Sequence, residues 1–315
     1  MTAPASTPRR RRATVPESPA AAPRPERAPG SGRRNPAALA HRGFSPDGHE
    51  NTLAAFRAAA ELGFVWLETD VHTTLDGVVV AFHDPTLERV TGTSGNVNDL
   101  TWEQLREVRI GGTEEIPTLT ELLRALPEAC LNIDVKDEAS VAALPGVVAR
   151  EHAAHRLRVT SFSESRRRRA LAGITRLTGR RAKTSAGTLG TAGFLAVAAV
   201  APLTDKVSPR VAHALWAAHR AAWSRVVAPF DTLQLPERHT VELPLGRRVT
   251  VRIVTRQFLD LAHREGLRVQ VWTVNEPADM DRLLDLGVDG LITDRADLLR
   301  DVLLRRGQWP PDPQD

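Results

Sequence analysis

Tyrosine is absent from this sequence of 315 residues, cysteine occurs once, and lysine three times against 39 arginines. A lone Cys130 excludes an intramolecular disulfide and any cysteine-rich metal site. Nothing therefore calls for an oxidising compartment, and a cytoplasmic location is expected. No apolar stretch follows the four arginines at 9–12, so the N-terminus does not read as a secretory signal. The arginine excess, alongside abundant alanine, reads as a GC-rich coding bias. Arginine thus carries little information here, and Lys136, Lys183 and Lys206 each carry more. Residues 184–204 lack charge and are long enough to raise the question of a membrane span. Their Gly, Ala and Thr content and the break at Pro202 favour a buried helix of a larger fold instead.

What is present is divided unevenly. Residues 1–34 hold eight Arg against Glu17 and Glu26, a net +6, so the whole-chain charge of +4 leaves −2 for the other 281 residues. The segment is dominated by Pro, Ala, Arg and Ser and lacks the apolar load that offsets chain-ordering entropy. It is read as a disordered tail (1–34) ahead of one domain (35–315). A basic arm can bind polyanions, but a solvated tail is the simpler reading and a nucleic-acid partner is not expected.

From residue 37 short apolar runs alternate with helical stretches. Strands are expected at 37–41, 65–71, 78–83, 130–136, 157–162, 267–274 and 289–294, with others near 231–235 and, more weakly, 181–185. Helices are expected at 50–63, at 141–154 with a break near Pro145, at 256–266 and at 276–287. Thr101 with Gln104, and Thr118 with Glu121, have capping-box spacing. Gly63, Gly266 and Gly287 stand where helices end. Eight or so strands with helical connections favour a TIM (β/α)8 barrel, with an extended helical insertion around 186–230. Within that insertion, 210–227 places Trp216 and Trp223 seven residues apart on one stripe. A packed surface helix is the plain reading, and contact with a membrane surface or lipid-like substrate the sharper one.

Active sites of such barrels gather at the C-terminal ends of the strands. There the chain offers His41-Arg42, then Glu68 and Asp70 on one face, His83-Asp84, Asp134 and Lys136 at the same spacing, and Trp272 with Asn275. Asp76-Gly77 signals a two-residue hairpin turn that would pair His72 with Ala81 and Asp70 with His83. Either a hairpin or a tight crossover brings His83 beside Glu68 and Asp70. Glu68, Asp70 and Asp134 are hard oxygen ligands that suit one divalent cation, Ca²⁺ or Mg²⁺, to offset charge on a phosphodiester. Arg42 can fork onto phosphate oxygens and Lys136 adds a point charge. His41 and His83 would then serve as acid and base. Each residue alone is unremarkable, whereas structure by itself gives no reason to converge so many charges on one rim. The other histidines, His49, His72, His152, His155, His213, His219, His239 and His263, read as surface or packing residues.

The motifs HRG (41–43), ENT (50–52), E-x-D (68–70), DG followed by HD (76–84), N-I-D-x-K (132–136), WTVN (272–275) and DGLITD (289–294) resemble the glycerophosphodiester phosphodiesterase family over residues 37–304. The resemblance implies a TIM-barrel enzyme that hydrolyses a small-molecule glycerophosphodiester to sn-glycerol 3-phosphate and an alcohol. It also implies acid–base work for His41 and His83, a divalent ion on Glu68, Asp70 and Asp134, and phosphate on Arg42 and Lys136. Trp272 is a candidate wall for the glycerol. Two positions depart from the family pattern: Asp134 stands where Glu is usual, and His49 where Pro is usual. The alternatives are a lysophospholipase D-like enzyme acting on lipids, or a barrel scaffold with a polyanion-binding tail. Intact His41, Glu68, Asp70 and His83 argue against the scaffold.

Overall fold

Eight short runs of apolar residues become the staves of a barrel because both their faces are covered, by helices outside and by packed side chains within. The computed structural model describes residues 35–205, 209–223, 227–242 and 247–312. The expected N-terminal tail, 1–34, lies outside the described residues. The staves are β1 Ala37–His41, β2 Trp66–Thr73, β3 Cys130–Val135, β4 Leu157–Thr160, β5 Lys183–Thr184, β6 Thr232–Leu235, β7 Arg268–Val271 and β8 Gly290–Thr293. They run parallel in the order β5-β4-β3-β2-β1-β8-β7-β6. A single parallel bridge, Ser185 to Thr232, joins the two ends and closes the barrel. Ala186 N to Thr232 O at 2.9 Å and Asp231 N to Thr184 O at 3.2 Å support that seam.

Helices follow the staves: α1 Leu53–Glu61, α2 Leu119–Ala125, α3 Glu138–Arg150, α4 Glu164–Thr178, α5 Thr188–Asp205, α6 Pro209–Trp223, α7 Arg256–Arg264, α8 Pro277–Leu286 and α9 Ala296–Arg305. Both expected capping boxes form. Thr118 accepts from Glu121 N at the start of α2, and Thr101 does the same with Gln104 at the short helix Trp102–Leu105. Gly287 caps α8 with φ +103°, a left-handed conformation that a side chain would strain.

Three expectations need correction, and at α6 the plainer of two readings stands. Pro145 does not break its helix: α3 runs through it from Asp137, whose side chain accepts from Ser140 N. The Pro145 ring instead packs onto α4, where a Cβ at Gly173 would lie 2.6 Å from its Cγ. The hairpin after β2 is real but one residue out of register, pairing His72 with Val80 in the strand Val79–Ala81. Its loop has three residues, closed by Thr74 N to Val78 O at 2.9 Å, with Gly77 at φ +87° taking the left-handed position. Helix α5 is only half buried. Phe194 and Val197 face the core, while Leu189 and Val200 are exposed. Trp216 on α6 is not free to meet lipid: it is 1% exposed and packs edge-on against Phe194 at 4.9 Å. The side chain of Trp223 lies outside the described set. Among the described residues no helix is long and apolar enough to cross a membrane.

Helices α4 and α9 and the short strand pair Arg109–Ile110 with Glu114–Glu115 went unread in the sequence, and so did a ribbon that reaches the barrel's rim. Strands Arg238–Glu242 and Arg248–Arg252 pair as an antiparallel ribbon between β6 and α7.

Candidate active site

Parallel register decides which side chains meet. His41 stands beside Glu68 across β1 and β2, and Asp70 beside Asp134 across β2 and β3. Beyond His41 the chain turns sharply. Arg42 has φ +58° and Gly43 φ +83°, and a Cβ at Gly43 would sit 2.7 Å from the Ala55 carbonyl carbon. Only glycine fits that approach. The turn aims Arg42 N at both the Glu68 carbonyl (3.0 Å) and its Oε2 (3.2 Å).

Three carboxylates with almost no solvent exposure, Glu68, Asp70 and Asp134, form the floor. Lys136 Nζ lies 2.8 Å from Asp70 Oδ1 and 2.7 Å from Asp134 Oδ2, while Arg42 Nε lies 3.1 Å from Asp70 Oδ2. Burial would raise Asp70, but Lys136 and Arg42 outweigh it and hold this carboxyl below its ordinary range. Glu68 goes the other way, pushed well up by burial and by the neighbouring Asp70. Asp134 is raised as well, chiefly by burial.

Each histidine has a carboxylate on Nδ1. His41 Nδ1 is 2.6 Å from Asp294 Oδ1, and its Nε2 is 3.8 Å from Glu68 Oε2. Asn275 Nδ2 donates to the other Asp294 oxygen at 2.8 Å. His83 Nδ1 is 2.6 Å from Asp84 Oδ1. Burial lowers His83 despite Asp70 and Asp84. At His41 burial is overcome by Glu68 and Asp294, which raise it. His72, expected to be a packing residue, is buried and spans from Asp137 Oδ2 (2.8 Å) to the His83 carbonyl (3.1 Å).

All eight residues singled out in the sequence line one cavity of about 540 Å³: His41, Arg42, Glu68, Asp70, His83, Asp134, Lys136 and Trp272. Part of its wall is apolar, built from Phe162, Leu195, Ile253 and Trp272, with the Lys136 ammonium 5.8 Å from the Phe162 ring centre. Phe162 and Trp272 meet edge-on at 6.1 Å. A second cavity, of about 380 Å³, borders Trp216 and Phe230 and gathers no acidic or basic cluster beyond His219. The sequence reading missed Asp294, Glu50, Arg89 and Phe162. The first two stood inside quoted motifs, DGLITD and ENT, without being given a part. His239, on the unread ribbon, reaches the rim.

Does this floor suit a cation? Among the described residues no three His, Cys, Asp or Glu side chains are already arranged to hold a metal ion, and the Lys136 ammonium sits between Asp70 and Asp134. The donor chemistry nevertheless fits. Three buried carboxylates face two fixed positive charges, and buried Asp134 Oδ1 has no hydrogen-bond partner among the described residues. Such a set of hard oxygens suits Ca²⁺ or Mg²⁺.

A family model, that of the glycerophosphoryl diester phosphodiesterase family, matches residues 41–298. The chain belongs to this family of phosphoric diester hydrolases. It is 41% identical over 273 residues to a probable glycerophosphodiester phosphodiesterase 2 of Mycobacterium tuberculosis, covering 86% of this chain and 92% of that one. It is 27% identical to a human lysophospholipase D, covering 84% and 85%. In fold it is similar to an Oleispira antarctica phosphodiesterase solved with the product sn-glycerol-3-phosphate. That match has a TM-score of 0.62 and 21% identity, covering 85% of this chain and 97% of that one. The ring of His49 occupies space that Gly111 leaves open. His49 N donates to Ser45 Oγ at 2.8 Å and Thr52 Oγ1 to His49 O at 2.9 Å, which holds the loop without a fixed φ.

Proposed function

We propose that this protein hydrolyses glycerophosphodiesters to sn-glycerol 3-phosphate and an alcohol, with His41 and His83 moving the protons. The observation that carries the reading is the pair of clamped histidines around one carboxylate floor. Each has Nδ1 held by its own carboxylate at 2.6 Å, which fixes ring and tautomer and leaves Nε2 for proton transfer. One imidazole takes the proton of the attacking oxygen, and the other gives one to the departing alkoxide. Each transfer contributes about 10²–10⁴ in rate. Arg42 and Lys136 bind and orient the phosphate oxygens, the former as a planar fork. A divalent cation held by Glu68, Asp70 and Asp134 would neutralise charge on a non-bridging phosphate oxygen. Asp134 stands where the family resemblance implies a Glu, and its shorter arm would shift that cation or leave its contact to a bridging water. The lone, half-buried Cys130 is compatible with a cytoplasmic enzyme.

The apolar wall of Phe162, Leu195, Ile253 and Trp272 supports a second reading, in which the substrate carries an acyl chain. Assay of glycerophosphocholine and lysophosphatidylcholine, each with Ca²⁺, Mg²⁺ or EDTA, separates the two. Glycerophosphocholine turnover is expected, abolished reversibly by EDTA. His41→Ala and His83→Ala should each lower kcat at least about 10²-fold. Normal turnover in either variant would remove the acid–base assignment.

A further inference from the structure

We infer that Arg89 is a positioning residue that ties His83 to Arg42, so that proton transfer and phosphate binding share one alignment. This rests on the function proposed above.

Arg89 sits on the four-residue helix Glu88–Thr91, outside the barrel, between the Val79–Ala81 strand and α2. Its Nε donates to Asp84 Oδ2, and the other Asp84 oxygen holds His83 Nδ1. Its Nη2 donates to Glu50 Oε1 at 2.5 Å and its Nη1 to Glu50 Oε2 at 3.2 Å. Glu50 Oε1 in turn accepts from Arg42 Nη1 at 2.8 Å. A continuous polar chain therefore runs His83–Asp84–Arg89–Glu50–Arg42 and ends on Asp70. One planar guanidinium sets the direction of two carboxylates that belong to separate segments of the chain, something a lysine ammonium does not do.

Stability gives a poor account of this arrangement. The Arg89 side chain is 48% exposed, and ion pairs in such settings contribute little to folding. What the contacts do fix is the angle of His83 and the orientation of the Arg42 fork. Displacement of a reacting group by about 1 Å can cost about 10² in rate. Arg42 keeps its second anchor on Asp70, so substrate binding should suffer less than turnover.

The test compares kcat and KM for glycerophosphocholine in the wild type, Arg89→Ala, Arg89→Lys, Asp84→Asn and the double variant of Arg89→Ala with Asp84→Asn. Arg89→Ala should lower kcat by about 10- to 100-fold and move KM by less than about threefold. Millimolar guanidinium should restore part of the loss, and Arg89→Lys should fall between. Because both changes break one chain, the double variant should be little worse than Asp84→Asn alone. A kcat within about twofold of wild type, a change confined to KM, or losses that multiply in the double variant would each overturn the inference. Thermal melting reports whether the fold survives. Should Arg89→Ala not fold, Arg89→Lys and Arg89→Gln, which keep the stem, are judged by the same criteria. An inactive wild type defeats the proposed function itself, whereas an active wild type with a normal Arg89→Ala defeats only the role of Arg89.

Discussion

Asp137 shows how much one side chain can hold. Its Oδ1 accepts from Ser140 N at 2.7 Å and so caps α3, while Oδ2 accepts from His72, Thr73 N and Asn98. Burial works against its charge, yet His72 and Ser140 outweigh it and bring the carboxyl down to about 2. The folded value is below the unfolded one, so this contribution is complete above about pH 4. It is lost as pH falls toward 2. Asp137→Ala should therefore cost about 2–4 kcal/mol at pH 7 through the lost cap and hydrogen bonds. Its deficit against wild type should shrink at pH 2–3, and urea unfolding at both pH values checks this. Residue chemistry at the strand ends was legible in the sequence because strand ends and their i,i+2 spacing are local. The partners were not. His41 and Asp294 lie 253 positions apart, and only the pairing of β1 with β8 makes them neighbours. Arg89 was hidden by abundance, one arginine among 39.

At the scale of elements, α3 and α4 show why a proline signal misled. Proline removes one helical hydrogen bond and usually ends a helix, but here its ring fills the notch above Gly173. Two neighbouring glycines should consequently respond in opposite ways. Gly173→Ala places a methyl 2.6 Å from Pro145 and should destabilise by about 1–3 kcal/mol through overpacking. Gly146→Ala meets only the flexible end of Arg150 at 3.3 Å and should be stabilising by about 0.5–1 kcal/mol. Denaturant titration of both variants decides the matter. The capping boxes were legible because both members lie within one turn. The Trp216 stripe was not, because periodicity names a face without naming what covers it. Phe194, 22 residues earlier on α5, covers Trp216. The hairpin register slipped for a similar reason: Asp76-Gly77 fits a two-residue or a three-residue loop, and Thr74 selects the longer one by accepting from Val78 N at 2.9 Å.

Across the whole molecule the barrel is unevenly sewn. β2 and β3 share six paired positions, whereas β5 and β6 meet at a single bridge. Side chains bolt that seam instead. Buried Arg167 reaches Thr184 Oγ1 at 2.9 Å and the Ala228 carbonyl at 2.6 Å, while ion-paired to Glu164. Native-state hydrogen exchange should find the amides of Ala186 and Asp231 opening before those of β2 and β3. Equal protection on both sides would contradict it. The strand count and barrel were legible from alternation alone, but the seam was not, because β5 has too few residues to leave a pattern. The charged floor comes from β1, β2, β3 and β8, and the apolar wall largely from the loops after β4, β6 and β7 and from α5. An enzyme divided this way can exchange its wall by changing loops along the loosely paired side while the reacting half stays intact. What the glycerol end of the substrate carries is then open to selection in small steps, and a laboratory library confined to residues 186–200 and 236–253 should sample new substrates without touching the proposed bond-breaking groups.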